Sequence, residues 1–447
     1  MYGRKATFLV VLLLILSGTA AAMAGLRTEE TQREPQSFSA LGSFSGHSLR
    51  DALFDRLIER LMELGHFSAV SAAIVKHEEL TWSAGYGLFD RANARQADDE
   101  TIYLIASISK TVTATAVMQL WEQGLLSLDG DVNQYLPFSL RNPHHPDEPI
   151  TIRMLLSHQS SLATDPSALW GTGMPCIPGD LSIEGYPVPF LQDYLTPGGV
   201  QYRPDVWTTA APGDEMHYAN MGYGVLGYIV EELSGMSFEA YCQEHIFMPL
   251  DMSNSSFFFS GVDATSVAIP YMYDDGYHSL LHYDLLHYPA GGLRTTVREL
   301  SCFLIAHMQG GVYDGIRILE EQTIAMMHAE QGPGYGLGFI LWSNGAVGHT
   351  GGLFGVVTLM QFQSAEETGV ILFTNAGPFT VRQALIWSLI QQLLWSKATE
   401  NVRELWVEAV TEAFYQNRHL IDRHCDTSLS QTEVAAEVAA VMAQVFR

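Results

Sequence analysis

A mostly apolar stretch, residues 102–125 (IYLIASISKTVTATAVMQLWEQGL), constrains this chain most, because it predicts a buried helix that carries a lysine. Ser107 stands three residues before Lys110 near the expected start of the helix, so their side chains share one face. A serine hydroxyl is a weak nucleophile until a base takes its proton, and a lysine amine can take it where burial lowers the amine's pKa. N–H groups at a helix start also favour the negative charge that develops in such an attack.

The scarcity of lysine makes this pair informative. Four of the 23 basic residues are lysines, and the others are arginines, which stay protonated and could not act as the base. An alternative is open at this point, in which Ser107 caps the helix and Lys110 is an ordinary surface cation. A single Ser-x-x-Lys pattern does not decide between the two, so residues elsewhere must.

Composition bounds the class of protein. The chain has 447 residues, of which 47% are hydrophobic and 16% charged, as is typical of a globular protein. It carries 49 acidic and 23 basic side chains, which give a formal net charge of −26. Nucleic acids and anionic lipids are bound by basic surfaces, so we expect neither as a partner. Neutral and cationic small molecules remain open as substrates.

The N-terminus, MYGRKATFLVVLLLILSGTAAAMAG, has the layout of a secretory signal peptide: two basic residues, an apolar run and small residues at a cleavage site. We therefore expect residues 1–24 to be a signal peptide, residues 25–46 a polar linker, and the protein to be exported to the periplasm or the exterior. If the apolar segment stays uncleaved it would anchor the chain, and this is the only membrane contact the sequence predicts.

Metal-ligand patterns are weak in this sequence. His278 and His282 have four-residue spacing, but the glutamate of a His-Glu-x-x-His motif and a third ligand are missing. The cysteines are widely spaced without a Cys-x-x-Cys, and their pairing cannot be deduced: Cys176, Cys242, Cys302 and Cys425. We therefore expect no metal and no cofactor.

Two further segments stand out by composition. Residues 163–212 contain eight of the 18 prolines together with aromatic residues that include Trp170 and Trp207. We predict an irregular loop there that forms a lid over the site and sets substrate choice. Residues 397–447 predict a C-terminal extension of two amphipathic helices, which could pack on the catalytic domain or on another subunit.

Other polar residues lie at the edges of predicted elements. Tyr218-x-Asn220, named here the tyrosine motif, opens a helical run that ends near Gly235. A core tyrosine followed by a capping asparagine would explain it equally well. His158 follows a short apolar helix, and we interpret it as structural.

Strand-like runs occur near both ends of the region. Residues 69–76 and 80–88 predict an antiparallel hairpin, and residues 335–342, 355–363 and 369–374 predict three more strands. His349-Thr350-Gly351-Gly352 comes just before the second of these three, and its glycines would let backbone N–H groups approach a ligand closely.

Taken in order, Ser107-x-x-Lys110, Tyr218-x-Asn220 and His349-Thr350-Gly351 resemble the three motifs of the serine β-lactamase and penicillin-binding-protein superfamily. The phrases ITIRMLLSHQSSL, APGDEMHYANMGYGVLGYIVEELSG, PAGGLRTTVREL and GHTGG resemble its branch of class C β-lactamases, family VIII esterases and D-aminopeptidases. The likeness covers residues 47–396, and three ordered motifs are far more specific than one.

The resemblance implies an α+β (α/β sandwich) fold, with an antiparallel sheet flanked by helices and a mainly helical lobe. It also implies an exported serine hydrolase that forms an acyl-enzyme on ester, amide or peptide substrates without a metal. Ser107 would be the acylated nucleophile, and Lys110 with Tyr218 would move its proton. The implied substrate-binding residues, with the backbone N–H groups of Ser107 and Gly352 as the oxyanion hole, are Asn220, His349, Thr350, Gly351 and Gly352.

One departure from the family pattern bears on the substrate. Many β-lactamases and transpeptidases have Lys-Thr-Gly where this chain has His349-Thr350-Gly351, and that lysine helps to hold a substrate carboxylate. A histidine is cationic only part of the time near neutral pH. We therefore expect weak β-lactam turnover and a preference for esters, amides or D-amino-acid peptides. The competing hypothesis is a catalytically silent relative that binds cell-wall peptides or β-lactams.

Overall fold

The computed structural model describes residues 49–164, 176–178, 188–377 and 380–399. Its α-helices are α1 (Leu49–Gly65), α2 (Ser109–Glu122), α3 (Ile152–Leu156), α4 (Val188–Leu195), α5 (Asn220–Ser234), α6 (Phe238–Cys242), α7 (Val297–Met308), α8 (Glu321–Met327) and α9 (Val381–Thr399). Its strands are β1 (Ala69–Lys76), β2 (Glu79–Asp90), β3 (Arg95–Gln96), β4 (Tyr103–Leu104), β5 (Cys176–Pro178), β6 (Tyr271–Tyr273), β7 (Tyr277–Ser279), β8 (Tyr283–Leu285), β9 (Arg294–Thr295), β10 (Val312–Tyr313), β11 (Ile316–Arg317), β12 (Ile340–Leu341), β13 (Val347–Leu353), β14 (Val356–Gln363) and β15 (Thr368–Thr374).

The described residues divide into two units, one formed by residues 49–65 and 380–399 and the other by described residues between 66 and 377. In the first unit α1 packs against α9, and Lys397 forms an ion pair with Asp51. The apolar stripe of α1 is buried at Ile58, Leu61 and Met62, as its helical spacing predicts.

An antiparallel sheet of seven strands forms the frame of the second unit, in the order β12-β13-β14-β15-β1-β2-β3. The predicted hairpin is confirmed, because β1 and β2 pair directly. All seven residues of β15 are buried, as expected for a strand covered on both faces. Pairing of β1 with β15 joins the two ends of the unit, so that only β14 and β15 lie between β13 and β1 in the sheet.

Helices flank this sheet, which confirms the predicted α+β class. On one face α7 packs against β1, β2, β14 and β15, with Leu304 lying over Gly369. The mainly helical part contains α2, α3, α4, α5 and α6, of which α5 contacts all the others. Among the described residues, no helix has both the length and the apolar character needed to cross a membrane.

Several sequence-based expectations for secondary structure were wrong in detail. Only Ile340–Leu341 of the predicted strand at residues 335–342 is a strand. The His349 motif precedes β14, as predicted, but it also forms a strand of its own, β13, which was not predicted. His278 lies on β7, so its four-residue spacing from His282 does not place both on one helix face. The predicted signal peptide, the linker and residues 400–447 lie outside the described residues.

The described part of the segment at residues 163–212, namely 163–164, 176–178 and 188–212, is more regular than expected. It contains α4 and β5, and the side chains of Tyr194 and Trp207 are buried in the core. The Trp207 indole donates a hydrogen bond to the carbonyl of Leu195 at 3.2 Å. Residues 188–207 therefore include a helix and buried aromatic side chains, while Trp170 lies outside the described residues. A role as a lid stays a prediction.

The contact that places β13 beside the start of α2 depends on a missing side chain. A Cβ at Gly351 would lie well inside van der Waals contact with the carbonyl oxygen of Ile105 and the Thr358 hydroxyl, and 3.1 Å from the Cβ of Ala106. At Gly352, the next residue, a Cβ would meet nothing within 4 Å. Only glycine therefore lets the strand and the turn that precedes α2 approach this closely.

Gly351→Ala should lower the free energy of unfolding by about 1–3 kcal/mol, because the added methyl group forces the strand away from Ile105. Gly352→Ala is the matched control and should leave stability unchanged or slightly higher, since its methyl group points into open space. Urea unfolding of both variants measures the difference. Equal stability of the two would contradict this account of the contact.

A pair of buried histidines lies in the core of the same unit. His307 Nδ1 is 3.3 Å from His328 Nε2, and His307 Nε2 is 3.1 Å from the Thr115 hydroxyl. Burial lowers the pKa of His328 to about 3, and burial together with His328 lowers that of His307 well below its usual value. Both rings are therefore neutral in the folded protein at neutral pH.

The free energy of unfolding should fall as the pH is lowered from about 6.5, where an unfolded histidine titrates, towards about 3. In this window the unfolded chain binds protons that the folded core excludes. Replacing one such residue, in His328→Leu, should make the slope of stability against pH shallower by up to about 1.4 kcal/mol per pH unit. Urea unfolding at several pH values measures the slope, and an unchanged slope would show that His328 does not contribute.

Candidate active site

Ser107 lies in a 3₁₀ turn, Ala106–Ile108, that runs directly into α2. No side chain caps either helical segment, and the cap positions are Ile105 and Ile108, so Ser107 is not a helix cap. Ala106 has a φ of +50°, a left-handed conformation that is costly for a residue with a Cβ. Strain of this kind persists only where the surrounding structure holds it, and it occurs here immediately before the predicted nucleophile.

Lys110 points into the protein and not into solvent. Its side chain has 0% exposure, whereas Ser107 is partly exposed. The Lys110 amine donates to the Ser107 hydroxyl oxygen at 3.0 Å and to the carbonyl oxygen of Ala290 at 2.6 Å. A surface-cation role is therefore wrong, and the amine lies within proton-transfer distance of the hydroxyl.

The loop that supplies the Ala290 carbonyl is tied to the same helix. The Thr113 hydroxyl donates to the carbonyl of Pro289 at 2.6 Å, and the Leu293 amide donates to the Ser109 hydroxyl at 3.0 Å. With the Lys110 bond, three side chains of α2 fix this loop. A backbone carbonyl has no side-chain signature, so the sequence did not reveal Ala290 as part of the site.

The tyrosine motif, at the N-terminal end of α5, reaches the same place. The Lys110 amine lies 4.9 Å from the centre of the half-buried Tyr218 ring. Asn220 is the first residue of α5 and also half-buried, while Ala219 occupies the cap position without a side-chain cap. The alternative of a capping asparagine is therefore wrong. A hydroxyl, an amine and a phenol ring from separate parts of the chain lie together.

Strand β13 lies beside the turn that carries Ser107, and its residues 349–352 are alternately buried and exposed. His349 and Gly351 are buried, whereas Thr350 and Gly352 are exposed. Gly351 packs against the turn that carries Ser107, so the exposed pair lies next to the nucleophile along the strand edge. This is the position the sequence predicted for substrate-binding residues, although their contacts with a substrate stay a prediction.

His349 is neutral in this setting. Burial and the nearby Lys110 lower the pKa of its imidazole to about 3. Its Nε2 lies 2.9 Å from the Tyr335 hydroxyl, and its Nδ1 lies 2.5 Å from the carbonyl of Thr350. The ring is therefore occupied by hydrogen bonds and carries no positive charge at neutral pH.

Two residues of this cluster were missed by sequence reasoning. His158, interpreted as structural, has a ring centre 4.3 Å from that of Tyr218, and Tyr335 was assigned to a strand. The hydroxyl of Tyr335 lies 3.2 Å from His158 Nε2. Burial, Lys110 and His349 together lower the pKa of His158 well below its usual value. The only usable signal was their polarity at the edges of apolar runs.

This arrangement supports nucleophilic catalysis by a serine hydroxyl. In the described part of the chain, no group of three or more His, Cys, Asp or Glu side chains is spaced to hold a metal ion. The Ser107 hydroxyl lies 3.0 Å from the Lys110 amine, a phenol ring lies beside that amine, and Ser107 stands at the N-terminal end of α2.

Comparison with known proteins agrees with this geometry. The protein PbpX of Bacillus subtilis (strain 168) is 29% identical over 319 residues, which cover 70% of this chain and 72% of PbpX. The octameric penicillin-binding protein homologue from Pyrococcus abyssi has a TM-score of 0.63 and 25% identity, with 84% of this chain and 82% of that chain covered.

A D-amino acid amidase from Ochrobactrum anthropi SV3, solved with L-phenylalanine, shares the fold with a TM-score of 0.60 and 22% identity; 83% of this chain and all (100%) of that chain are covered. A family profile described as Beta-lactamase matches residues 54–394, which span all three motifs. The chain therefore belongs to the beta-lactamase family of serine β-lactamase-like and penicillin-binding-protein-like hydrolases.

Proposed function

We propose that the protein is a serine hydrolase that forms an acyl-enzyme on Ser107. The observation that carries the proposal is the hydrogen bond of 3.0 Å between the buried Lys110 amine and the Ser107 hydroxyl. The hydroxyl oxygen attacks the substrate carbonyl while its proton passes to the Lys110 nitrogen. The tetrahedral oxyanion is stabilised by the backbone N–H groups of Ser107 and Gly352.

Collapse of this intermediate breaks the bond to the leaving group, which takes a proton delivered through Lys110 and Tyr218. Water then attacks the acyl-enzyme, its proton passes to the same pair, and the Ser107 oxygen is released with a proton restored. The Ala290 carbonyl holds the amine throughout, so Lys110 does not have to reorient between the two halves of the reaction.

Esters, amides and D-amino-acid peptides are the substrate classes that we propose. The neutral imidazole of His349 offers no fixed charge to a substrate carboxylate, which disfavours substrates that depend on such a clamp, β-lactams among them. The shared fold of the D-amino acid amidase supports an amide or peptide substrate. The net charge of −26 further favours neutral or cationic molecules.

We also propose that the hydrolase acts after export and that residues 163–212 shape its acyl specificity. Export is supported by the N-terminal pattern of two basic residues, an apolar run and small residues. Sequencing the N-terminus of the secreted protein tests it, and a start near residue 25 is expected. An intact N-terminus in the membrane fraction would instead indicate an anchor.

Incubation with a fluorophosphonate or a penicillin should add one adduct per protein, and Ser107→Ala should remove it because the attacking oxygen is then missing. Short p-nitrophenyl esters or D-amino-acid amides should be turned over with a higher kcat/KM than nitrocefin. Intact-mass measurement and initial rates give both results.

Two outcomes would contradict parts of this proposal. A permanent Ser107 adduct without turnover of any ester, amide or β-lactam identifies a penicillin-binding protein without hydrolase activity. Nitrocefin hydrolysis near the diffusional ceiling of about 10⁸ M⁻¹s⁻¹ would overturn the substrate preference but keep the nucleophile.

Lys110→Arg should reduce kcat at least about 100-fold, because a guanidinium cannot accept the serine proton. The matched control is Lys76→Arg, the same replacement at the end of β1, which should keep the wild-type rate. Circular dichroism and the melting temperature check that both variants fold. A wild-type rate in folded Lys110→Arg would reject Lys110 as the base.

A further inference from the structure

Three buried side chains that the proposed reaction does not use connect the tyrosine motif with β13. The amide of Ala219 donates to His158 Nδ1 at 3.1 Å, and His158 Nε2 lies 3.2 Å from the Tyr335 hydroxyl. That hydroxyl lies 2.9 Å from His349 Nε2, and His349 Nδ1 lies 2.5 Å from the carbonyl of Thr350. Four hydrogen bonds thus connect the backbone of Ala219, inside the tyrosine motif, with the backbone of Thr350 on β13. We call this series the hydrogen-bond chain.

The two ends of this chain fix its direction. A backbone amide can only donate, so His158 Nδ1 accepts and the ring proton is on Nε2. A carbonyl can only accept, so His349 carries its proton on Nδ1 and accepts at Nε2. The Tyr335 hydroxyl therefore accepts from His158 and donates to His349. The neighbouring Tyr223 hydroxyl also interacts with the Tyr335 hydroxyl, and it donates its own proton to the Leu156 carbonyl at 2.7 Å.

Because the three side chains are buried, water cannot easily replace a hydrogen bond that is lost between them. The exposed fractions of His158, Tyr335 and His349 are 1%, 2% and 1%. Both imidazoles stay neutral because burial and Lys110 lower their pKa values, so each ring has one donor and one acceptor to satisfy. Each finds one partner on either side, and loss of any link would leave a buried polar atom unpaired.

The hydrogen-bond chain can affect proton transfer between Ser107 and Lys110 because it contacts Tyr218. His158 binds the amide that follows Tyr218, and its ring lies 4.3 Å from the Tyr218 ring, so one imidazole fixes both the backbone and the phenol. Tyr218 in turn lies over the Lys110 amine. A displacement of about 1 Å at such a pair can reduce the rate about 100-fold, although nothing that touches the substrate has changed.

We propose that His158 and Tyr335 are positioning residues that, through His349, hold Tyr218 and Asn220 in register with the oxyanion edge of β13. The kinetic consequence rests on the proposed acyl-enzyme function, whereas the pattern of ring protonation does not. His158 should be the Nε2–H tautomer and His349 the Nδ1–H tautomer.

The first experiment removes one oxygen atom. Tyr335→Phe keeps the ring packing and breaks the two central hydrogen bonds, so kcat on a p-nitrophenyl ester should fall about 10- to 100-fold while KM changes less than about threefold. Rates are normalised to the fraction of Ser107 that a fluorophosphonate labels. The control Tyr241→Phe removes the same atom from a buried tyrosine on α6 that is not part of the hydrogen-bond chain, and it should keep the wild-type kcat.

The second experiment tests whether the residues act as one unit. His158→Gln retains an acceptor and a donor, whereas His158→Leu retains neither, so the Gln variant should keep more of kcat. In the double variant with Tyr335→Phe, His158→Leu should cost less than it does alone, because the chain is already broken. A lower melting temperature with unchanged kcat in these variants, or fully additive losses of kcat, would overturn positioning.

The third experiment separates this inference from the proposed hydrolase. If the wild type is labelled at Ser107 but turns nothing over, the hydrolase fails, and slower labelling in Tyr335→Phe still supports positioning. An unchanged labelling rate overturns it. Nitrogen-15 chemical shifts of the histidine rings report the tautomers directly. If His158 and His349 had the same tautomer, the inferred direction of the hydrogen bonds through Tyr335 would be wrong.

Discussion

Burial of one amine, that of Lys110, is the constraint around which the site is arranged. Removing an ammonium or amine from water is costly unless hydrogen bonds replace the lost solvent. Here the Ala290 carbonyl and the Ser107 hydroxyl do so, at 2.6 and 3.0 Å. A carbonyl can serve in this way only if its loop is pressed against α2. The bonds from Thr113 and Ser109 to that loop are thus part of the same requirement.

A second buried charged residue, Arg294, also stabilises the same loop. Arg294, with 1% exposure, donates to the carbonyls of Gly292 and Tyr283 and pairs with Asp284 at 2.8 Å. Breaking a buried pair by removing one partner typically costs about 3–5 kcal/mol, so this anchor resists local change. The position of the amine is therefore determined by contacts on both sides of the loop, and the strained φ of Ala106 is tolerated within this frame.

The sequence could predict those features that depend on residues close together along the chain. The hairpin, α5 and the three ordered motifs depend on spacing along the chain, and these were recognisable before the structure was known. The Ala290 carbonyl was not, because any residue has one, and neither was the link of Tyr335 to His158, because 177 residues separate them. Contacts between distant segments leave no periodic pattern for spacing rules to detect.

Glycine and proline both lie inside regular elements here, although the sequence analysis assigned the glycine motif to no strand and took the prolines as evidence of an irregular loop. Gly351 and Gly352 lie inside a strand, where the missing side chain permits a close approach and does not break pairing. Pro189 lies in the first turn of α4, where a proline N–H is not needed for the helix. In both places the residue marks a steric requirement of the element and not its end.

The neutral state of His349 shows how hydrogen bonding takes the place of charge in this site. A lysine there would add a cation near Lys110, and each would oppose protonation of the other. An imidazole avoids that repulsion and, unlike an ammonium, can both donate and accept, which a link between Tyr335 and the Thr350 carbonyl requires. The loss of a charge on β13 and the gain of a rigid connection to the tyrosine motif are thus two results of one replacement.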